Sequence, residues 1–500
     1  MFRIRPPTGS AWQDRGATDG DGMTETDSTA TVFTTIADAR AGLRRGEVSA
    51  AELVEGALAA ADTHDETFGV FLARFEERAR TQAAEVDRKI AAGEALAPLD
   101  GIPLGVKDIF AHSAGPTTAQ SSVLDPAWAK SVGDAAVVRR LELAGGIVVG
   151  KTTTMEFAIG VPDPEKPFPI PRNPWDAQRW AGGSSSGSAS GLLTGAFLGA
   201  VGTDTSGSLR IPAAFCGITG FKPTFGRVSK SGVVPLAYTL DHAGPLARTA
   251  ADCALLLEVL AGHDPEDPYS STEPVADYTA ALTGDLHGIT IGVDNLDRFV
   301  GDGHDPRQPQ RFSAAIDALR AAGATIVPVE VPMYVETTAT TLIVLAAESA
   351  AYHRPTLRSR YDDYARGSRV VFAAGTTVSG ADYIQAQRVR HVAQRKMAEL
   401  CTEVDLVVTP TGHLGAPRID AMEQLNPVSV LAGLHTPYWN SLGNPTIAVP
   451  IGLTADGVPL SMSISGKHFD EATVLRAGDA FQRRTDHHRL TPTLSRKVLP

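Results

Sequence analysis

Three short segments of this 500-residue chain group side chains that could support nucleophilic catalysis. The densest is Trp180-Ala-Gly-Gly-Ser184-Ser185-Ser186-Gly187-Ser188-Ala-Ser190-Gly191. A Gly/Ser run is ordinarily a flexible linker. This one leads straight into Leu192, Leu193, Ala196, Phe197 and Leu198, whose helical spacing predicts a tight loop feeding a buried helix. Gly183-Ser-Ser-Ser-Gly187 also fits the GxSxG elbow with Ser185 as nucleophile, but that elbow requires a hydrophobic strand before it. The preceding Arg172-Asn-Pro-Trp-Asp-Ala-Gln-Arg179 reads as a polar turn, which argues against an α/β-hydrolase elbow. In the second segment, Gly202-Thr-Asp204-Thr205-Ser206-Gly207-Ser208-Leu-Arg210, a serine sits among small residues with unobstructed backbone N–H groups. One such loop can supply both a nucleophile and an oxyanion hole, although most serines in turns only satisfy the turn. The third is Lys107, the charged residue of the apolar stretch Ile102-Pro-Leu-Gly-Val-Lys-Asp-Ile-Phe110. Burial lowers a lysine pKa because the charged form loses its hydration, and a buried neutral lysine can act as a base. A lone lysine more commonly snorkels to solvent.

A fourth string, Gly145-Gly-Ile-Val-Val-Gly150-Lys151-Thr152, spells a phosphate-binding GxxxxGK[ST] loop. A phosphate cradle needs free N–H groups on a flexible loop after a strand. Here the variable positions include Ile147, Val148 and Val149, a strand pattern preceded by a helix pattern, so the match reads as chance. No HExxH or comparable His/Cys cluster calls for a metal, and no cofactor is expected.

Taken in order, these segments resemble the amidase signature family over roughly residues 35 to 490. The resemblance is carried by Gly-Ile-Pro-Leu-Gly-Val-Lys-Asp, Gly-Lys-Thr with Glu156-Phe157, Arg172-Asn-Pro-Trp-Asp and the two serine segments. It continues through Pro212-Ala-Ala-Phe-Cys-Gly-Ile-Thr-Gly-Phe-Lys-Pro-Thr224 and Asn444-Pro-Thr-Ile-Ala-Val-Pro450. It implies a Ser–cisSer–Lys triad of Lys107, Ser184 and Ser208, with a cis Gly183–Ser184 peptide. It also implies an oxyanion hole from the N–H groups of Thr205, Ser206, Gly207 and Ser208, with Ser185, Asp204 and Arg210 in support. Each oxyanion donor contributes about 3 to 4 kcal/mol in comparable enzymes. For the relay to run at neutral pH, the Lys107 pKa must fall about 3 units, at a cost of about 4 kcal/mol. Ser206 departs from the family pattern, which usually has Gly there.

The implied activity is hydrolysis of a carboxylic amide through an acyl-enzyme, with carbamate, aryl amide or ester cleavage in the family's range. The alternative is the glutamine-hydrolysing A subunit of an aspartyl/glutamyl-tRNA amidotransferase. In those proteins an Asp lies three residues before the Thr of a Thr-x-x-x-Asn segment; here that segment is Thr436-Pro-Tyr-Trp-Asn440 and the position is Gly433. His435, Tyr438 and Trp439 occupy the neighbourhood and point to an aromatic pocket in a free-standing amidase, although Tyr438 and Trp439 could equally be core residues. The segment Val161 to Pro171, rich in proline, reads as a stiff loop that shapes substrate choice.

Around these segments, Ile36 to Arg45 reads as a helix stopped by Gly46, and Ser49 with Glu52 forms a capping box for a second helix through Ala61. A charged helix over Glu76 to Ala92, the Lys107 strand, a helix over Asp134 to Ala144 and the strand Ile147 to Val149 follow. Asp405 to Thr409, Thr446 to Val449 and Leu460 to Ile464 repeat the short buried-strand pattern. The alternation predicts an α/β fold. The resemblance implies one large domain over 31–495 with a central mixed sheet covered by helices on both faces, and residues 1–30 read as a disordered tail in which Met23 could be a second start.

Composition limits the partners expected. Forty-five basic against 57 acidic residues give a net charge of −12, without the basic footprint of nucleic-acid binding. The expected partners are therefore a small-molecule amide and water, with neither nucleic acid nor membrane, and a homodimer only as a base-rate expectation. Cys216, Cys253 and Cys401 form no disulfide framework, and no run of 18 apolar residues or secretory leader is present, so a cytoplasmic location is expected.

Overall fold

The capping box at Ser49 forms as its sequence dictates: the Ser49 side chain accepts the Glu52 N–H and the Glu52 carboxylate accepts the Ser49 N–H. The helix it starts, Ala50–Phe68, outruns the predicted end at Ala61 and stops at Gly69, whose φ of 59° ends the helical run. These details come from a computed structural model that describes residues 33–300, 304–422 and 433–494. The expected tail over 1–30, with Met23, lies outside the described residues.

Thirteen strands occur among the described residues: β1 Phe71–Arg74, β2 Pro103–Lys107, β3 Ile147–Thr152, β4 Arg172–Asn173, β5 Asp176–Trp180, β6 Gly199–Asp204 and β7 Thr219–Lys222. They continue with β8 His242–Ala247, β9 Thr290–Val293, β10 Thr325–Pro328, β11 Leu406–Pro410, β12 Thr446–Leu453 and β13 Pro459–Gly466. Eleven build one sheet in the order β1-β3-β2-β6-β8-β7-β12-β13-β11-β9-β10. The pairs β3-β2-β6 and β11-β9-β10 are parallel, and the run between them from β6 to β11 is antiparallel. The fold is thus α/β with a large central mixed sheet flanked by helices. Strands β2, β3 and β11 are buried along their whole length, which explains why they read as short apolar runs without regular polar alternation.

One local expectation is met and two change. The phosphate-loop string is strand throughout its second half: Gly150, Lys151 and Thr152 lie inside β3. Its lysine is fully buried, pairing with Asp108 at 2.9 Å and donating to the Phe110 carbonyl at 2.8 Å, so it has no part in a phosphate cradle. Residues 172–180 form the β4/β5 hairpin where a polar turn was expected. The Gly/Ser run enters its helix early, over Ser186–Thr194, and Gly195 (φ 79°) ends it before Ala196, Phe197 and Leu198. A helix of small residues survives there because every position in it is buried against neighbours, outweighing weak intrinsic propensity.

Candidate active site

The register of three strands assembles the site. Strands β2 and β6 run parallel, with Val106 opposite Val201, so Lys107 at the end of β2 lies beside Thr203 and Asp204 at the end of β6. Lys107 is fully buried. Its Nζ donates to Ser184 Oγ at 2.7 Å and to Thr203 Oγ1 at 2.9 Å. Burial pushes the Lys107 pKa down to about 7, while the negative charges of Asp204 and Asp241 pull it upward. Both hydroxyls can receive hydrogen bonds from an ammonium or exchange them with an amine, and neither adds a charge that would lock the lysine as a cation.

Ser184 lies in the loop from β5 to the Ser186–Thr194 helix, after a cis Gly183–Ser184 peptide. Its carbonyl accepts the Met155 N–H at 3.2 Å. Ser185 fastens this loop to the second serine segment: its N–H donates to the Ser208 carbonyl at 3.2 Å and its Oγ donates to the Thr203 carbonyl at 3.2 Å. Gly202 is required there, because a Cβ on it would lie 2.4 Å from Ser185 Oγ. Ser184 and Ser208 are thus brought into one buried neighbourhood, at 3% and 6% exposure. The Lys107–Ser184 link is made, but among the described residues Ser208 Oγ forms no hydrogen bond with Ser184.

The turn from Thr205 to Leu209 hangs on Asp204. That carboxylate accepts N–H groups from Gly207 at 2.7 Å and Leu209 at 3.2 Å, Arg210 Nε at 2.9 Å and Asn440 Nδ2 at 2.8 Å. Burial alone would raise its pKa; the Arg210 guanidinium and the Asn440 amide outweigh it and hold the group well below the usual carboxylate range. The Gly207 N–H is therefore committed to Asp204. The Thr205, Ser206 and Ser208 N–H groups have no acceptor among the described residues. Ser206 is held by its carbonyl, which accepts Thr436 Oγ1 at 2.7 Å, and Thr205 by its hydroxyl, which donates to Asp241 at 2.6 Å.

Thr203, Asp241, Thr436 and Asn440 are site residues to which no sequence pattern gave a role. Thr203 sits in a segment singled out for its serines, and Thr436 and Asn440 served there only to mark Gly433. The hydrogen bonds that join them to the site span 36 to 236 residues of chain. The pocket expectation is partly revised. Tyr438 and Trp439, each 1% exposed, pack in a core with Leu296, Val331, Met397 and Val407, and Tyr438 OH donates to the Pro332 carbonyl at 2.8 Å. His435 is buried beside Thr436, hydrogen-bonded to Tyr334 OH at 2.5 Å and with its ring 4.8 Å from that of His413. Its pKa falls to about 3 through burial, so it is a neutral imidazole. A small cleft of about 20 Å³ lies under the proline-rich loop, between Pro162, Phe168, Ile170 and Met155, the residue bonded to Ser184.

A family model described as Amidase matches residues 52–475, and the chain belongs to the amidase family. Among its relatives is the A subunit of the glutamyl-tRNA(Gln) amidotransferase of Chloroflexus aggregans, 38% identical over 489 residues, covering 93% of this chain and 99% of that protein. A solved structure described with the evolutionary origins of an s-triazine catabolic enzyme matches with a TM-score of 0.82 at 32% identity, over 90% of this chain and 98% of that one. A peptide amidase bound to the competitive inhibitor chymostatin matches with a TM-score of 0.79 at 29% identity, over 92% and 99%. The relatives named as amidotransferase subunits overturn one expectation. Their name couples a multi-subunit enzyme to a charged tRNA, so the reading of substrate and water as sole partners, with nucleic acid excluded, does not stand. Net charge describes one chain's surface and carries no information on what a companion subunit holds. No helix among the described residues is long and apolar enough to cross a membrane.

Proposed function

We propose that this chain hydrolyses a carboxylic amide through an acyl-enzyme on Ser208. The observation that carries the reading is a fully buried Lys107, its pKa near neutrality, 2.7 Å from the Ser184 hydroxyl. Neutral Lys107 takes the Ser184 proton as Ser184 takes that of Ser208, and Ser208 Oγ attacks the amide carbon. The N–H groups of Thr205, Ser206 and Ser208 face the oxyanion. The proton returns through Ser184 to the leaving nitrogen, and water repeats the sequence to free the acid. The scheme requires the two serine hydroxyls, both buried in one neighbourhood, to come within hydrogen-bond reach of each other.

Two amides fit. Glutamine, hydrolysed by this chain as one component of a tRNA-dependent amidotransferase, is the reading better supported by the relatives, several of which carry that name at 36 to 38% identity. A less polar amide is favoured by one observation: Gly433 offers no carboxylate to an amino group, and it is exposed.

The test is ammonia or amine release from glutamine, an aliphatic primary amide, an aryl anilide and an aryl carbamate, comparing the chain with Ser208→Ala. Turnover confined to glutamine supports the amidotransferase reading. Turnover of anilide or carbamate supports a broader amidase. Undiminished turnover in Ser208→Ala would mean that the nucleophile is wrong.

A further inference from the structure

Asp241 is a buried carboxylate that the hydrolytic scheme leaves unused. It immediately precedes β8, whose antiparallel pairing with β6 sets His242 opposite Asp204, and so it reaches the turn that follows β6. Its Oδ1 accepts Thr205 Oγ1 at 2.6 Å, and the carboxylate also accepts the Leu236 N–H at 3.0 Å and the Ala237 N–H at 3.0 Å. A buried carboxylate is costly unless such donors surround it. Here they come from one short turn and from one residue of the oxyanion loop.

The other residues of that loop have separate anchors: Gly207 and Leu209 on Asp204, Ser206 on Thr436. Thr205 is held, among the described residues, by Asp241. A backbone donor stabilises an oxyanion only when it is fixed in advance where the charge develops. Thr205, next to Ser206 and three residues from Ser208, is where a loose end would misplace donors.

Charge adds a second role. The two acidic groups whose charges favour the ammonium form of Lys107 are Asp204 and Asp241. Asp204 is matched by Arg210 at 2.9 Å. Asp241 forms no ion pair among the described residues. Its cationic neighbour is Lys230, which donates to the Tyr238 carbonyl at 2.7 Å and lies over the rings of Phe225 and Tyr269. Lys107 must be neutral to accept a proton and must then carry it while the oxyanion exists, so an unmatched negative charge nearby stabilises the state that forms during the reaction.

We propose that Asp241 is a positioning residue of the hydrolytic site, holding the Thr205 end of the oxyanion loop and setting the field at Lys107 without touching substrate. The proposal rests on the amide-hydrolase reading, and its experiment separates the two. kcat, KM and the pH profile of kcat/KM are measured for the full chain and for Thr205→Val, Thr205→Ser and Asp241→Asn on an amide the wild type turns over. Thr205→Val should lower kcat about ten- to hundredfold, the range expected for one hydrogen bond to a charged group, with KM little changed. Thr205→Ser, which keeps the hydroxyl, should recover most of the loss.

Asp241→Asn should lower kcat similarly and also move the ascending limb assigned to Lys107 to lower pH, because removing a negative charge disfavours the ammonium. Thr205→Val should leave that limb in place. A packing role alone would move neither limb. Asp241→Asn with a wild-type kcat and an unmoved limb overturns the proposal, as does a Thr205→Val variant with undiminished kcat. Should Asp241→Asn fail to fold, the Thr205 pair still decides the first role. A wild type that turns over no amide, or activity that survives Ser208→Ala, defeats the hydrolase reading itself and the proposal with it.

Discussion

A lysine can take a proton only after it has lost its own, and the surroundings of Lys107 bring this about without a chemical partner. Burial lowers its pKa to about 7, the bonded hydroxyls of Ser184 and Thr203 are neutral, and Asp204 is neutralised by Arg210. The neutral fraction grows as pH rises through about 7. kcat/KM is therefore expected to climb through that region and level off above it, a pH profile on any turned-over amide being the measurement. Lys107→Met should remove this limb and cost about 10²- to 10⁴-fold in kcat/KM, the usual contribution of a general base. A limb that persists in Lys107→Met would assign it to another group.

Between residue and fold stands the turn from Thr205 to Leu209, which a distant helix and its N-cap clamp. The Pro437–Leu442 helix brings Asn440 to Asp204 and Arg210, while Thr436 at its start takes the Ser206 carbonyl. Gly207 adopts φ +134°, and a Cβ there would lie 2.1 Å from Thr436 Oγ1. Gly207→Ala is expected to displace the turn, at a cost of about 1 to 3 kcal/mol for the backbone conformation alone. The signature would be a large fall in kcat beside a modest fall in the urea midpoint. Removing one partner of the Asp204–Arg210 pair, both fully buried, leaves an uncompensated charge. Arg210→Met should therefore destabilise the protein by about 3 to 5 kcal/mol, read by denaturant unfolding. A loss under about 1 kcal/mol would show that solvent reaches the pair.

At the scale of the molecule, packing keeps several histidines neutral. His353 and His435 fall to about 3 and His413 and His488 to about 4, each chiefly through burial. In the unfolded chain these imidazoles bind protons near pH 6.5, so below that value the unfolded state holds more protons than the native one. Stability is then present above the unfolded pKa and lost as pH falls. Buried carboxyls oppose this only lower down: Asp252, raised to about 6 by burial, favours the native state once protonated. From pH 7.5 to 6 the four histidines together should remove about 3 kcal/mol of stability. A urea midpoint that is flat or rising as pH falls across that interval would contradict their burial as neutral rings.

What the amino-acid sequence determined by itself is whatever depends on near neighbours or on residue type. The Ser49–Glu52 capping box and the glycine stop at Gly46 are hydrogen bonds and backbone angles closed within a few residues, and they form as the order of residues requires. Lys107, Ser184 and Ser208 could be singled out because a charge inside an apolar stretch and serines among glycines are odd in composition, wherever they fold. Tertiary structure alone decided their environment. Thr203 and Asp241 gain their roles from strand pairing across sequence separations that no local pattern records. Trp439 is core because the elements packed over it exclude water, and its sequence pattern is the same for a pocket wall as for a core. Local bonds are written in adjacent residues; burial, and the pKa of a lysine with it, is set by chain that arrives from elsewhere.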